Sequence, residues 1–275
     1  MHVLAPLALL LASVALPASA FSPHTFHIHH LSTSASRSTA KGLRPTSVLS
    51  ASRSTAKGLR RAAWTAGRTP APPPPLPTIN LAAGTSSATI YPFGACVTSY
   101  VRDGFDYLFV RPDAKLDGSK PISGGLPFCW PAFGPPSDQN AAVGELQQHG
   151  FARNLEWEVE SSGGSSAVLT LAPNEYTRGM WDKEFKLTYT VTLTEEKLST
   201  SLSVANTGPD AWSHQGALHS YFRVGDIDAT TVRGSFEGKD VLDKVKGERG
   251  VEGRAELAIA GETDAPPVAA MVIPR

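Results

Sequence analysis

Between residues 185 and 204 apolar and polar side chains alternate. Phe185, Leu187, Tyr189, Val191 and Leu193 lead into the polar TEEK, and Leu198, Thr200, Leu202 and Val204 follow it. A period of two puts successive side chains on opposite faces of a strand, so this stretch predicts a β-hairpin with one face buried. Leu155, Trp157 and Val159 predict a second hairpin with Ala167, Leu169 and Leu171, across the turn-rich SSGGSS. No segment keeps a helical period for three turns. Short strands punctuated by Gly and Pro, running from about Thr78, predict an all-β fold of antiparallel strands, a sandwich or a barrel.

The first 77 residues follow none of these patterns. Leu4 to Leu16 is an apolar run ending in the small residues Ala18-Ser19-Ala20, the pattern of a secretory signal peptide over residues 1–20, with cleavage expected before Phe21. It is too short and too interrupted for a membrane span. Residues 21–77 are rich in Ser, Thr, Ala and Arg, hold SASRSTAKGLR twice (34–44 and 50–60) and end in TPAPPPPLP. With so few large apolar side chains this stretch cannot offset its ordering entropy, and it reads as a disordered transit segment. His27, His29 and His30 fall within it and carry no weight as a metal site. The order ASA-FSP resembles the bipartite presequences of algae with complex plastids, which implies a plastid destination; secretion is the alternative.

Charge sharpens this division. The chain has 25 Lys+Arg and 25 Asp+Glu, yet eight of the bases precede residue 81 and the first acid is Asp103. Residues 81–275 thus carry 17 bases against 25 acids, a net charge of −8. An acidic body excludes nucleic acid as a natural partner, because phosphate neutralisation by Lys and Arg supplies most of that affinity. Cys96 and Cys129 lack metal-ligand spacing and are expected as buried free thiols.

Candidate chemistry gathers at three places. LQQHGFARNLEW (146–157) sets Gln148, His149 and Arg153 within six residues; GALHSYFRV (216–224) carries His219; and PISGGLPFCWPAFGPP (121–136) is too apolar for an ordinary exposed loop. That loop can either present backbone and aromatic faces to a ligand or plug one end of a sandwich. Only His149, His214 and His219 lie beyond the leader, and their spacing defines no metal site.

KPISGGLPFCWPAFG, LQQHGFARNLEW, ALHSYFRVGDI and VLDK, in this order, resemble the hexose-6-phosphate mutarotases (glucose-6-phosphate 1-epimerases) of the aldose 1-epimerase superfamily, the plant-type apospory-associated protein C group above all. The resemblance spans residues 78 to 264 and implies a galactose mutarotase-like antiparallel supersandwich. It implies interconversion of hexose 6-phosphate anomers by acid-base ring opening, with a small-molecule sugar phosphate as partner, no cofactor or metal, and a monomer. It makes His219 the general acid that protonates the ring oxygen, with His149 assisting. Gln148 and Asp243 would bond sugar hydroxyls, and Arg153 would meet the 6-phosphate. Two plainer readings stand beside these: an ion pair of Arg153 with Glu156 or Glu158, and a turn role for Asp243.

Two departures from the family pattern matter. Ser123 stands where many members carry Arg; its hydroxyl can bond a phosphate but brings no charge. The family's general base is a glutamate far downstream, and no residue here matches it, Glu262 included. Residues 78–275 are therefore expected to form a mutarotase-like domain cut short at its C-terminus. The alternative is a non-catalytic carbohydrate or sugar-phosphate binding protein lacking the base; a secreted β-sandwich lectin is a third reading.

Overall fold

The computed structural model of the protein describes residues 7–15, 24–28, 75–136, 146–224, 231–233, 237–238, 240–243, 248–253 and 256–258. The regular structure of these residues is almost all antiparallel strand. In chain order these are β1 (Leu7–Ala15), β2 (His24–Ile28), β3 (Ile79–Ala83), β4 (Ser86–Tyr91), β5 (Cys96–Arg102), β6 (Phe105–Asp106), β7 (Phe128–Cys129), β8 (Glu158–Gly163) and β9 (Ser166–Leu171). After one short helix, α1 (Glu175–Met180), come β10 (Phe185–Leu193), β11 (Leu198–Asn206), β12 (Ser213–Ser220), β13 (Thr231–Arg233), β14 (Asp240–Asp243), β15 (Glu248–Val251) and β16 (Glu256–Ala258).

A five-stranded sheet has the order β2-β11-β10-β9-β8, a four-stranded sheet β3-β4-β5-β6 and a three-stranded sheet β1-β12-β7. The first two share one core, in which Leu81, Ile90 and Val97 join Leu169, Leu187 and Val191. The predicted hairpin pairs from Phe185↔Asn206 to Leu193↔Leu198, with every second residue of β10 buried. Its turn is bonded to the four-stranded sheet: Ser86 Oγ donates to the Glu195 carbonyl at 2.7 Å and Arg102 Nη1 to that of Glu196 at 2.7 Å.

The second predicted hairpin begins later than its alternation suggests. Trp157 is buried, but its backbone N–H donates to Pro92 at 3.0 Å, and Glu156 bridges Phe93. β8 starts only at Glu158, bulges between Val159 and Ser161, and is exposed along its length. Leu155–Trp157 is thus a crossing between sheets rather than the head of a strand.

The stretch read as leader contributes strands. β1 pairs with β12 from Leu7↔Ser220 to Ala15↔Ser213, and β2 pairs with β11. Five residues read as part of a disordered segment, His24–Ile28, are therefore in a sheet. Backbone pairing explains how: a free strand edge accepts any extended partner, whatever side chains it carries. The expected cleavage point, the duplicated segment and Glu262 lie outside the described residues.

Candidate active site

The loop at 121–136 is mostly core. Ile122, Leu126, Phe128, Cys129, Trp130 and Ala132 are buried, and Phe128–Cys129 is β7, paired with Ala217 and Leu218 of β12. Trp130 is the anchor, with Phe185, Trp181 and Phe151 centred 4.6, 5.2 and 5.6 Å from its ring. Its carbonyl accepts the N–H groups of Phe151 and Ala152 at 3.0 and 3.1 Å. So close an approach requires Gly150: at φ 67° a Cβ there would stand 2.2 Å from the Trp130 oxygen.

This contact sets His149. Its own φ is 67°, a left-handed conformation that a side chain rarely adopts, and two bonds to Gly134 hold it there. The His149 N–H donates to the Gly134 carbonyl at 3.0 Å, and the Gly134 N–H donates to Nδ1 at 3.1 Å. With Nδ1 accepting, a neutral His149 carries its proton on Nε2. Gln148 Nε2 lies 3.4 Å from that atom.

β12 supplies the second histidine. The His219 N–H donates to the Pro127 carbonyl at 2.9 Å, fixing the strand against the loop, and the two imidazole centroids are 5.3 Å apart at 72°. Phe133 lies 4.9 Å from His149 and 6.4 Å from His219, and Tyr221 lies 5.3 Å from His219. Phe133 and Tyr221 were not singled out from the sequence. Tyr221 is two residues beyond His219, so strand periodicity could have placed it on the same face.

Arg153, in the one-turn helix after the Gly150 crossing, bonds the Gln148 carbonyl through Nη2 at 3.0 Å, while its buried Nε has no partner among the described residues. Neither Glu156 nor Glu158 forms an ion pair with it among the described residues. Burial pulls the Arg153 pKa down, the signature of a cation short of compensation. Burial, and then the Arg153 charge, push the His219 pKa from 6.5 down to about 4, so in the free protein His219 is neutral at neutral pH. Among the described residues Arg153 is the one charged side chain acting on His219, and no carboxylate does so.

The structure therefore gathers Gln148, His149, Arg153 and His219. Ser123 sits on the adjoining segment, its carbonyl accepting the Arg111 N–H at 2.9 Å. Asp243 is not brought to them by any described contact; its backbone pairs with Glu248 in the β14-β15 ladder. His214 is a core residue, 5.7 Å from Trp212 and 6.0 Å from Trp130. Cys96 and Cys129 are buried free thiols, both pushed up to about 12 by burial. Among the described residues no three His, Cys, Asp or Glu side chains gather as a metal site requires, and no helix is long and apolar enough to cross a membrane.

Residues 77–254 match the family model described as aldose 1-epimerase. A curated relative from Cenchrus ciliaris, named "Putative glucose-6-phosphate 1-epimerase", is 34% identical over 191 residues, covering 64% of this chain and 56% of its own length. The chain thus spans about half the length of the curated relatives it matches. Among solved structures, the Slr1438 protein of Synechocystis sp. PCC 6803 aligns with a TM-score of 0.60 at 26% identity, covering 68% of this chain and 67% of that one. A galactose mutarotase related enzyme from Lactobacillus acidophilus aligns with a TM-score of 0.56 at 18% identity, over 66% and 65% of the two chains, a likeness of fold alone.

Proposed function

Because the chain belongs to the aldose 1-epimerase family, we propose that it interconverts the α and β anomers of a hexose 6-phosphate by acid-base ring opening. One observation carries this reading: two imidazoles 5.3 Å apart stand beside a half-buried arginine that has no carboxylate partner among the described residues. Paired imidazoles suit proton transfer near neutral pH, and an uncompensated guanidinium suits a phosphate.

Ring opening passes the proton of O1 to a base, a role that no described residue fills and that solvent water can take, and delivers a proton to the ring oxygen as the C1–O5 bond breaks. Rotation about C1–C2 and the reverse transfers then give the other anomer. His219 delivers the proton to the ring oxygen, and His149 donates to the same oxygen from Nε2. Arg153 meets the phosphate, while Gln148 and Ser123 bond the sugar or its phosphate through their polar groups. The Arg153 charge lowers His219, so a phosphate that neutralises Arg153 raises the imidazole toward the range where it can act as an acid. Substrate binding would thereby prepare the acid.

A second reading, sugar-phosphate binding without catalysis, draws on the lack of any carboxylate acting on His219 among the described residues. Anomer exchange of glucose 6-phosphate, followed by NMR against the spontaneous rate, separates the two. Catalysis predicts exchange above background that His219→Ala returns to background, a loss of about 10²-fold or more. Exchange at the background rate from folded wild-type protein would favour binding alone. Arg153→Ala is expected to weaken glucose 6-phosphate far more than glucose; equal losses on both sugars would refute its phosphate role.

A further inference from the structure

An anion held between Arg153 and Ser123 would lean on a single cation, since a serine hydroxyl brings no charge. The same corner of the fold holds another. Phe109, Gly125 and Tyr221 join in a closed ring of backbone hydrogen bonds: Phe109 donates to Tyr221 at 3.0 Å, Tyr221 to Gly125 at 2.8 Å and Gly125 to Phe109 at 2.8 Å. Three segments distant in sequence meet there, and the meeting needs glycine, because a Cβ on Gly124 would stand 2.7 Å from the Phe109 oxygen. One step outward, Val110 bridges Gly124 and the Arg111 N–H donates to the Ser123 carbonyl at 2.9 Å. On the third segment Tyr221 packs its ring 5.3 Å from that of His219. Arg111 thus stands beside Ser123, next to the junction that carries Tyr221 and, two residues away, His219. The electrostatics agree: burial raises the Tyr221 phenol, and the Arg111 and Arg153 guanidiniums both act to lower it.

The guanidinium of Arg111 is already oriented. Nε donates to Asp113 Oδ1 at 2.9 Å and Nη2 to Oδ2 at 2.8 Å, a side-on grip. A guanidinium has five N–H donors, so this grip leaves both protons of Nη1 and one of Nη2 as a second fork. Among the described residues Nη1 has no hydrogen-bond partner. The side chain is 52% exposed, open to a ligand arriving from solvent.

We infer that Arg111 is a second guanidinium contact for the phosphate of the substrate, its free fork supplying the paired N–H donors that Ser123 lacks while Nε and Nη2 stay bonded to Asp113. Specificity for a phosphorylated over a plain sugar then depends on Arg111 as well as Arg153. The inference rests on the sugar-phosphate reading above and adds a specificity-determining residue to it.

Titration of the full chain with inorganic phosphate, and anomer exchange of glucose 6-phosphate and glucose, test it together. Arg111→Ala is expected to weaken phosphate about tenfold or more, the scale of a charge-assisted bidentate contact. The KM for glucose 6-phosphate rises and the preference over glucose falls by a similar factor. Arg111→Lys keeps the charge without the fork and recovers part of the loss. Phosphate affinity and KM unchanged in Arg111→Ala, but lost in Arg153→Ala, would overturn the role of Arg111 and leave the sugar-phosphate reading standing. Wild-type protein that binds no phosphate overturns both. Wild-type protein that binds phosphate without accelerating exchange overturns catalysis alone, and the titration still decides Arg111.

Discussion

His219 receives opposing instructions from its surroundings. Burial and the Arg153 charge keep it neutral, at a pKa of about 4, whereas an acid that protonates a ring oxygen must hold a proton at the working pH. The two are reconciled if the second influence is removable. Arg153 has its buried Nε unpartnered, and an anion there would cancel the charge that His219 feels. The expected outcome is that saturating inorganic phosphate moves the His219 ring pKa upward, and that Arg153→Ala moves it upward without phosphate. Imidazole proton shifts followed by NMR against pH read both. No movement in either case would show that burial alone sets His219, and the coupling would fall. His149 needs no such device, because Nδ1 accepts from the Gly134 backbone and the neutral ring carries its proton on Nε2.

At the level of elements, the site depends on one place where two backbones nearly touch. Gly150→Ala would set a Cβ 2.2 Å from the Trp130 oxygen at a positive φ, and neither backbone can yield without moving His149 or the Trp130 anchor. A loss of about 2 kcal/mol or more is expected in urea unfolding. Gly163→Ala, where nothing lies within 4 Å of the added atom, should stay within about 1 kcal/mol. Equal effects at the two positions would show that the contact is not tight. The legibility of the fold follows the same physics. β10 and β11 could be read directly because burial on one face writes a period of two into the sequence. β8 could not, because it is exposed along its length, while the buried Trp157 just before it belongs to a crossing. Gln148, His149, Arg153 and His219 were legible through their motifs. Tyr221 was open to strand periodicity, two residues beyond His219, whereas Phe133 and Arg111 were not legible, since contacts between distant segments place them and no local spacing announces it. Asp243 matched a motif, yet no described contact joins it to the others.

For the whole molecule, the buried histidine outside the site sets how the fold responds to acid. His214 is 8% exposed, packed against Trp130 and Trp212, and burial lowers its pKa from 6.5 to about 4. The unfolded chain therefore takes up a proton as pH falls below about 6.5, whereas the folded protein resists until about 4. Between those values the unfolded state binds more protons, so stability falls as pH falls, and below pH 4 this contribution is flat. Descending through this window costs about 1.4 kcal/mol for each step of one in pH, so His214 removes about 2 kcal/mol by pH 5 and about 3 kcal/mol once the window is crossed. His219 is shifted in the same direction and steepens the same limb. Replacing His214 by Phe fills the aromatic site with a ring that cannot titrate. The drop in unfolding free energy from pH 7 to pH 5 is then expected to shrink by about 2 kcal/mol, with the part due to His219 and the carboxylates retained. Denaturant unfolding of wild type and His214→Phe at both pH values measures this directly. Parallel drops would place the acid sensitivity elsewhere, whereas a drop smaller by about 2 kcal/mol would assign that share to His214 and leave the remainder to His219 and the carboxylates.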